Sequence, residues 1–244
     1  MDELPLSRKT VLVTGAARRV GRILALACAR AGADIIIHHG HSAQQALKVQ
    51  EEIASLGHRS WILASDLSKA DQVSQLIAQA NEMGPLYGLV NSAAIFEPLS
   101  LERTTLANWD QHLAINLTAP FLLSRAFARQ VPENRQGRIV NILDWRALRP
   151  DADHFPYSIS KAALAAMTES LAVALAPQII VNGLALGAVL PPANEPASEK
   201  ILERVPAQRW SDETEIEQAL IFLMTGPAYI TGEIIHVDGG RHLV

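Results

Sequence analysis

Thr10-Val11-Leu12-Val13-Thr14 runs straight into Gly15-Ala16-Ala17-Arg18-Arg19-Val20-Gly21, and an Ala/Leu-rich helical pattern follows as far as Ala31. An apolar run, a glycine turn and a helix make a βα unit. A glycine turn in that place lets backbone N–H groups and the helix N-terminus face a pyrophosphate. By themselves two glycines also fit a plain tight turn. Their position after the first strand of an alternating chain gives them meaning.

The alternation continues to the C-terminus. Strands are predicted at Thr10–Thr14, Asp34–His38, Ser60–Ala64, Gly88–Asn91, Arg138–Leu143, Ile179–Leu184 and Ile234–Val237. Helices are predicted at Val20–Ala31, Ala43–Leu56, Lys69–Asn81, Leu106–Arg129, Tyr157–Ala176 and Glu213–Thr225. The strands are near-continuous apolar runs, as expected when both faces of a sheet are covered. Alternating β and α elements imply a doubly wound parallel sheet of about seven strands, with helices on both faces. No repeat, linker or low-complexity tract divides residues 1–244, so one domain is expected. The least regular stretch, 190–210, is rich in Pro, Ala and Glu and interrupts the last βα unit, which makes it a candidate lid over a substrate cleft.

Composition narrows the partners. With 49% hydrophobic and 19% charged residues the chain reads as globular. A net charge of −4 without any Lys/Arg run argues against nucleic acid or an anionic membrane as main partner. No apolar run stands out as long enough to span a bilayer, and Met1-Asp2-Glu3-Leu4-Pro5 lacks the basic and apolar regions of a signal peptide. The single cysteine, Cys28, lies in the first helical run and reads as a small core residue. A cytoplasmic address is expected. His38, His39 and His41 alternate in direction along a strand end, so no metal site is expected from them.

The candidate chemistry is Tyr157-Ser158-Ile159-Ser160-Lys161, with Asp144 thirteen residues upstream. A tyrosine and a lysine four apart share one helix face. The ammonium is expected to lower the phenol pKa from about 10 toward the working range, giving a proton donor at neutral pH. Y-x-x-x-K alone is common by chance, and the rest of the chain gives it weight.

Taken together these motifs resemble the short-chain dehydrogenases/reductases, over nearly the whole chain. The glycine loop, Asn91-Ser92-Ala93-Ala94, Asn116, Tyr157, Lys161, Tyr229-Ile230-Thr231-Gly232 and Val237-Asp238-Gly239-Gly240 all stand in the family's positions. The resemblance implies a Rossmann-type fold and an NADP(H)-dependent oxidoreductase. It implies Asn116, Tyr157 and Lys161 as catalytic residues. The implied cofactor contacts are Gly15, Arg18, Arg19, Val20, Gly21, Asp66, Leu67, Asn91, Ser92, Ala93, Tyr157, Lys161, Gly187 and Val189. Asp66 also fits the N-cap of the third helix. The chain departs from the family pattern at Arg19, which replaces a glycine, at Ser92 and Ala94, which replace the second Asn and the Gly of N-N-A-G, at Ala185-Leu186-Gly187, where Pro-Gly is usual, and at Pro191, where a threonine often holds the carboxamide.

No acidic residue follows the second strand to hold a ribose 2′-hydroxyl. His39, His41 and Ser42 stand there instead, with Arg18 nearby, so NADPH is expected over NADH. Asp144 stands where the family usually has serine. An Asp-Tyr-Lys set resembles the pteridine reductases, as do Arg19 and Phe96, which imply contact with a flat ring. That subgroup implies NADPH-dependent reduction of a dihydropterin, with Asp144 and Tyr157 delivering the proton and Arg19 and Phe96 also touching substrate. An aromatic in the place of Phe96 is more often a core or lid residue, and Asp144 also fits the cap of the turn Trp145–Pro150. A reductase of a 3-oxoacyl thioester, sugar or ketone is the first alternative, and an NADPH-binding sensor without turnover the second. By resemblance a homotetramer is expected, joined through the Leu106–Arg129 and Tyr157–Ala176 helices.

Overall fold

In the computed structural model, residues 3–150, 152–190 and 199–244 are described. The strands are β1 (Thr10–Val13), β2 (Asp34–His39), β3 (Ser60–Ala64), β4 (Leu86–Asn91), β5 (Gly137–Asp144), β6 (Ile179–Leu186) and β7 (Ile234–Val237). They form one seven-stranded sheet in the order β3-β2-β1-β4-β5-β6-β7, and every neighbouring pair is parallel. The helices are α1 (Arg19–Arg30), α2 (Ala43–Ser55), α3 (Ala70–Glu82), α4 (Leu106–Leu113), α5 (Ala119–Gln130), α6 (Phe155–Leu175), α7 (Glu199–Leu202) and α8 (Glu213–Thr225). The predicted doubly wound α/β domain is therefore the observed one.

The period-2 alternation of side chains explains the two-sided core. Ile35 and Ile37 of β2 join Leu24, Val49, Ile53 and Leu220 on one face of the sheet. Between them Ile36 points the other way and joins Leu76, Ile77, Leu89, Leu123 and Phe127. Each fully buried aliphatic side chain contributes roughly 1.5–3 kcal/mol. Cys28 is fully buried in the first of these clusters, and burial raises its thiol pKa to about 12.

Most element ends shift by one or two residues, and three departures stand out, two of which bear on function. The predicted single helix Leu106–Arg129 is α4 and α5 joined by a π-helical segment, Ala114–Thr118. The wider turn carries Asn116, and periodicity cannot show it because apolar positions still recur at about one turn. Strand β5 runs on to Asp144, so this carboxylate sits at the strand's C-terminal end. Helix α6 begins at Phe155, because Pro156 is tolerated in the first turn, where its missing N–H costs nothing.

By length and hydropathy alone α6 reaches the minimum for a bilayer-crossing helix, which the sequence reading did not expect. Its buried face (Tyr157, Lys161, Leu164, Ala165, Thr168, Ala172) lies against β5, β6 and the segment after β5. Its apolar character serves that packing, while Val173 remains 83% exposed on the outer side.

Candidate active site

All the expected site residues that are described gather at the C-terminal edge of the sheet. The strand order reverses there between β1 and β4, which opens a crevice. Gly15, in the turn after β1, has φ +67°, and a Cβ on it would lie 2.9 Å from Ala93 Cα. A Cβ on Gly21 would run into the carbonyl oxygen of Gly15. The two glycines therefore let the loop fold onto the end of β4, and other residues cannot replace them without movement. Arg19 has φ +49°, a left-handed conformation that a glycine takes more easily. Arg18 and Arg19 are exposed at the N-terminus of α1, whose first turn carries no acidic residue. A cradle of small residues, free helix amides and two cations fits a pyrophosphate.

Two residues that sequence reasoning did not single out hold this loop. Thr14 Oγ1 accepts the backbone N–H groups of Ser92 and Ala93, each at 3.0 Å. His38 Nδ1 accepts the Gly15 N–H at 3.2 Å, and its Nε2 lies 3.1 Å from the Ser65 carbonyl. Burial lowers the His38 pKa to about 4, against the smaller opposing effect of the Ser65 carbonyl, so the ring is neutral. Thr14 was visible only as a strand end and His38 only as one of three neighbouring histidines.

At the end of β2, His39 is buried, His41 is exposed and Ser42 is the N-cap residue of α2. Helix α2 has no acidic residue in its first turn. At the end of β3, Asp66 accepts both the N–H and the hydroxyl of Ser68, which holds its carboxyl below the usual range. The N-cap of α3 is Lys69, so the capping alternative for Asp66 is not realised. Leu67 is buried beside it.

Asn91 and Asn116 hold structure at the site. Asn91 Nδ2 donates to Asn141 Oδ1 at 2.8 Å, and Asn141 Nδ2 donates to Thr168 Oγ1 at 2.9 Å. This buried chain links β4, β5 and α6. Asn116 accepts the Ile95 N–H at 2.9 Å and donates to the Ile95 carbonyl at 3.1 Å and Ser160 Oγ at 3.0 Å. The π segment thus pins the 92–96 loop, with Phe96 at its end, to α6.

The Tyr157 hydroxyl donates to Asp144 Oδ2 at 3.1 Å, and the tyrosine is 6% exposed. Asp144 Oδ1 accepts the Arg146 N–H at 2.9 Å, capping the 3₁₀ turn Trp145–Ala147. The carboxylate therefore fills both offered roles, cap and partner of the phenol. Lys161 donates to the Ile142 carbonyl at 2.7 Å, and its Nζ lies 5.8 Å from the Tyr157 ring centre. Burial lowers its pKa to about 8, partly offset by Asp144.

The expected acidification of the tyrosine is corrected here. Burial, then the negative charge and hydrogen bond of Asp144, hold the Tyr157 pKa well above its ordinary value. A desolvated phenol facing a carboxylate keeps its proton, and the lysine is turned to a backbone carbonyl. Spacing identified the three residues but not the direction in which the lysine points.

Phe96 is 51% exposed, so it is no core residue. Its ring meets Tyr157 edge-on at 4.7 Å and 78°, and stacks on His154 at 3.9 Å and 8°. The Arg146 guanidinium lies 5.6 Å from the Phe96 ring centre. Neither His154 nor Arg146 carried a signal in the sequence, since both lie in irregular chain between β5 and α6.

Gly187 and Val189 follow β6, and a Cβ on Gly187 would lie 2.6 Å from Asp238 Cα. Pro191 and the rest of 191–198 fall outside the described residues. Of the expected lid, α7 and the following loop are described, and Val205 is 3% exposed there, beside Gly239. Among the described residues no group of three metal-binding side chains occurs.

A family model described as enoyl-(acyl carrier protein) reductase matches residues 15–242. The 3-oxoacyl-(acyl-carrier-protein) reductase of Aquifex aeolicus is 35% identical over 249 residues, covering 98% of this chain and 99% of the relative. The enzyme of the same name from Synechocystis is 32% identical over 240 residues, covering 96% and 97%. The crystal structure of FolM alternative dihydrofolate reductase 1 from Brucella canis, complexed with NADP, superposes with a TM-score of 0.93 at 32% identity, covering 100% of this chain and 97% of that one.

Proposed function

The chain belongs to the short-chain dehydrogenase/reductase family of oxidoreductases, and from that premise we propose that it is an NADPH-dependent reductase of a dihydropterin or dihydrofolate-like substrate. The observation that carries the reading is the Tyr157–Asp144 hydrogen bond with the exposed Phe96 ring set edge-on to the same tyrosine. Bound NADPH supplies a hydride. Gly15, Gly21 and the N-terminus of α1 would hold its pyrophosphate, and Arg18, His41 and Ser42 its 2′-phosphate. Neighbours solved with NADP, among them the Brucella canis protein, support the cofactor.

Reducing a C=N bond requires a hydride at carbon and a proton at nitrogen. Tyr157 and Asp144 together hold one exchangeable proton and one negative charge beside the crevice. Tyr157 delivers the proton, and Asp144 stabilises the hydroxyl before transfer and returns a proton from water afterwards. A flat ring would pack against the exposed part of Phe96, one face of which His154 already covers. Arg19, at the N-terminus of α1, would touch both the phosphate and the substrate ring.

The second reading is a 3-oxoacyl thioester reductase, favoured by the names of the Synechocystis and Aquifex aeolicus relatives. NADPH oxidation with dihydrobiopterin, dihydromonapterin, dihydrofolate and an acetoacetyl thioester separates the two. Turnover on the first three supports the proposal. Turnover on the thioester alone ends it and leaves the second reading, while tight NADPH binding without turnover on any of the four ends both. Assembly as a tetramer through α5 and α6 fits the exposure of Phe121 (41%) and Val173 (83%), and light scattering measures it.

A further inference from the structure

We propose that Arg146 is a positioning residue of the reaction, balancing the charge of the Tyr157–Asp144 pair and bracing the Phe96 ring. The inference rests on the reading of Tyr157 and Asp144 as the proton-delivering pair, and it adds a residue which nothing in the sequence pattern marks.

Among the described residues, Arg146 touches both halves of the site. Its backbone N–H donates to Asp144 Oδ1 at 2.9 Å, and its Nη1 lies 3.7 Å from the same oxygen. Its guanidinium lies 5.6 Å from the Phe96 ring centre and 4.6 Å from that of Trp145. The side chain is only 16% exposed, so these interactions are weakly screened. Behind it, Arg241 lies 4.6 Å over Trp145, and His154 stacks on Phe96. Phe96 thus meets both His154 and Arg146, and Trp145 meets both Arg146 and Arg241, with Asp144 beside Arg146.

The charged groups around Arg146 are of both signs, with Arg241 across the Trp145 ring. Asp144 comes from the end of β5, and Asp153, at 3.9 Å from Nε, from the turn before α6. His154 beside Asp153, and Tyr157 and Lys161 on α6, complete the set. Nε itself is buried without a hydrogen-bond partner, so the guanidinium is placed here by charge and stacking rather than by a full set of hydrogen bonds. Its charge acts on Tyr157 in the direction opposite to Asp144. Arg146 reaches the pair from the strand end, while Lys161, on the helix, donates to the Ile142 carbonyl and meets the charge of Asp144 only through space. Losing the Arg146 charge strengthens the hold of Asp144 on the phenolic proton and slows its release.

The experiment compares Arg146→Met and Arg146→Lys with the parent, using NADPH with dihydrobiopterin and with an acetoacetyl thioester. Methionine keeps apolar bulk and the backbone cap, but loses charge and planarity. Arg146→Met is expected to lower kcat about tenfold on whichever substrate the parent reduces, and to raise KM for dihydrobiopterin severalfold. NADPH affinity should stay within twofold. Arg146→Lys should restore most of kcat through its charge, but not KM, since an ammonium does not stack as a planar guanidinium does. Parental kcat and KM in Arg146→Met, or an Arg146→Lys protein no better than Arg146→Met, would overturn the proposal. Tyr157→Phe and Asp144→Asn run alongside. If these two keep parental rates, the proton-pair reading itself fails. If they are slow while Arg146→Met is not, only the role of Arg146 falls.

Discussion

The Nδ1 atom of His38 accepts the backbone N–H of Gly15, so a buried imidazole at the end of β2 fixes the first residue of the glycine loop on β1. That bond requires the ring to be neutral at Nδ1, and burial supplies the condition by lowering the pKa to about 4.

A pH dependence of stability follows. In the unfolded chain His38 titrates near 6.5, and in the folded chain near 4. Between these values the unfolded state binds a proton that the folded state refuses, so stability rises with pH through this window. The contribution is complete above about 6.5 and lost as pH falls toward 4, about 3 kcal/mol in all. Urea denaturation at intervals from pH 4 to 7.5 measures it. His38→Gln, which keeps an acceptor without a titrating ring, should flatten the slope by that amount. An unchanged slope would show that other groups govern acid unfolding.

Thr14 offers a test of the loop without any titration. Its hydroxyl oxygen is the common acceptor for Ser92 and Ala93 N–H. Thr14→Val preserves shape and leaves two amides without that partner, a cost of roughly 1–3 kcal/mol. Thr14→Ser keeps the oxygen and should lie within about 1 kcal/mol of the parent. Thermal melts of both proteins decide the matter, and the valine variant should also bind NADPH more weakly.

Asp144 and Tyr157 should separate chemistry from binding. Asp144→Ser is expected to reduce kcat with a dihydropterin by about 10²–10⁴, the usual worth of a positioned acid–base group. Tyr157→Phe should reduce it at least as far. Cofactor affinity, read by NADPH fluorescence, should change little in the serine variant. Equal loss of rate and of cofactor affinity would mean that Asp144 holds the site together and takes no part in proton delivery.

Cofactor choice should depend on Arg18. No carboxylate stands at the end of β2, and α2 has no acidic residue in its first turn. Arg18→Ala should weaken NADPH about ten- to hundredfold, the worth of one or two charge-assisted hydrogen bonds, and leave NADH nearly unaffected. Comparable NADH and NADPH affinities in the parent would refute the premise.

How much of this was legible in the chain differs from residue to residue. Ile35, Ile36 and Ile37 read as a strand covered on both faces, and they are one. Gly15 and Gly21 read as a phosphate turn, and their surroundings admit no side chain. Local pattern and backbone sterics act over a few residues, so one-dimensional reading reaches them. The π segment around Asn116 escaped because its apolar spacing is nearly that of an α-helix.

By itself, then, the order of residues determined the alternating fold, the glycine turn after β1 and the spacing of Asp144, Tyr157 and Lys161. Only the tertiary structure decided how those three act on one another. Burial and the facing carboxylate keep the proton on Tyr157, Lys161 turns to the Ile142 carbonyl, and Arg146 and His154 close around Phe96. The physical reason is that charge interactions and desolvation depend on distance and exposure in space, and these are set by chain segments far apart in sequence.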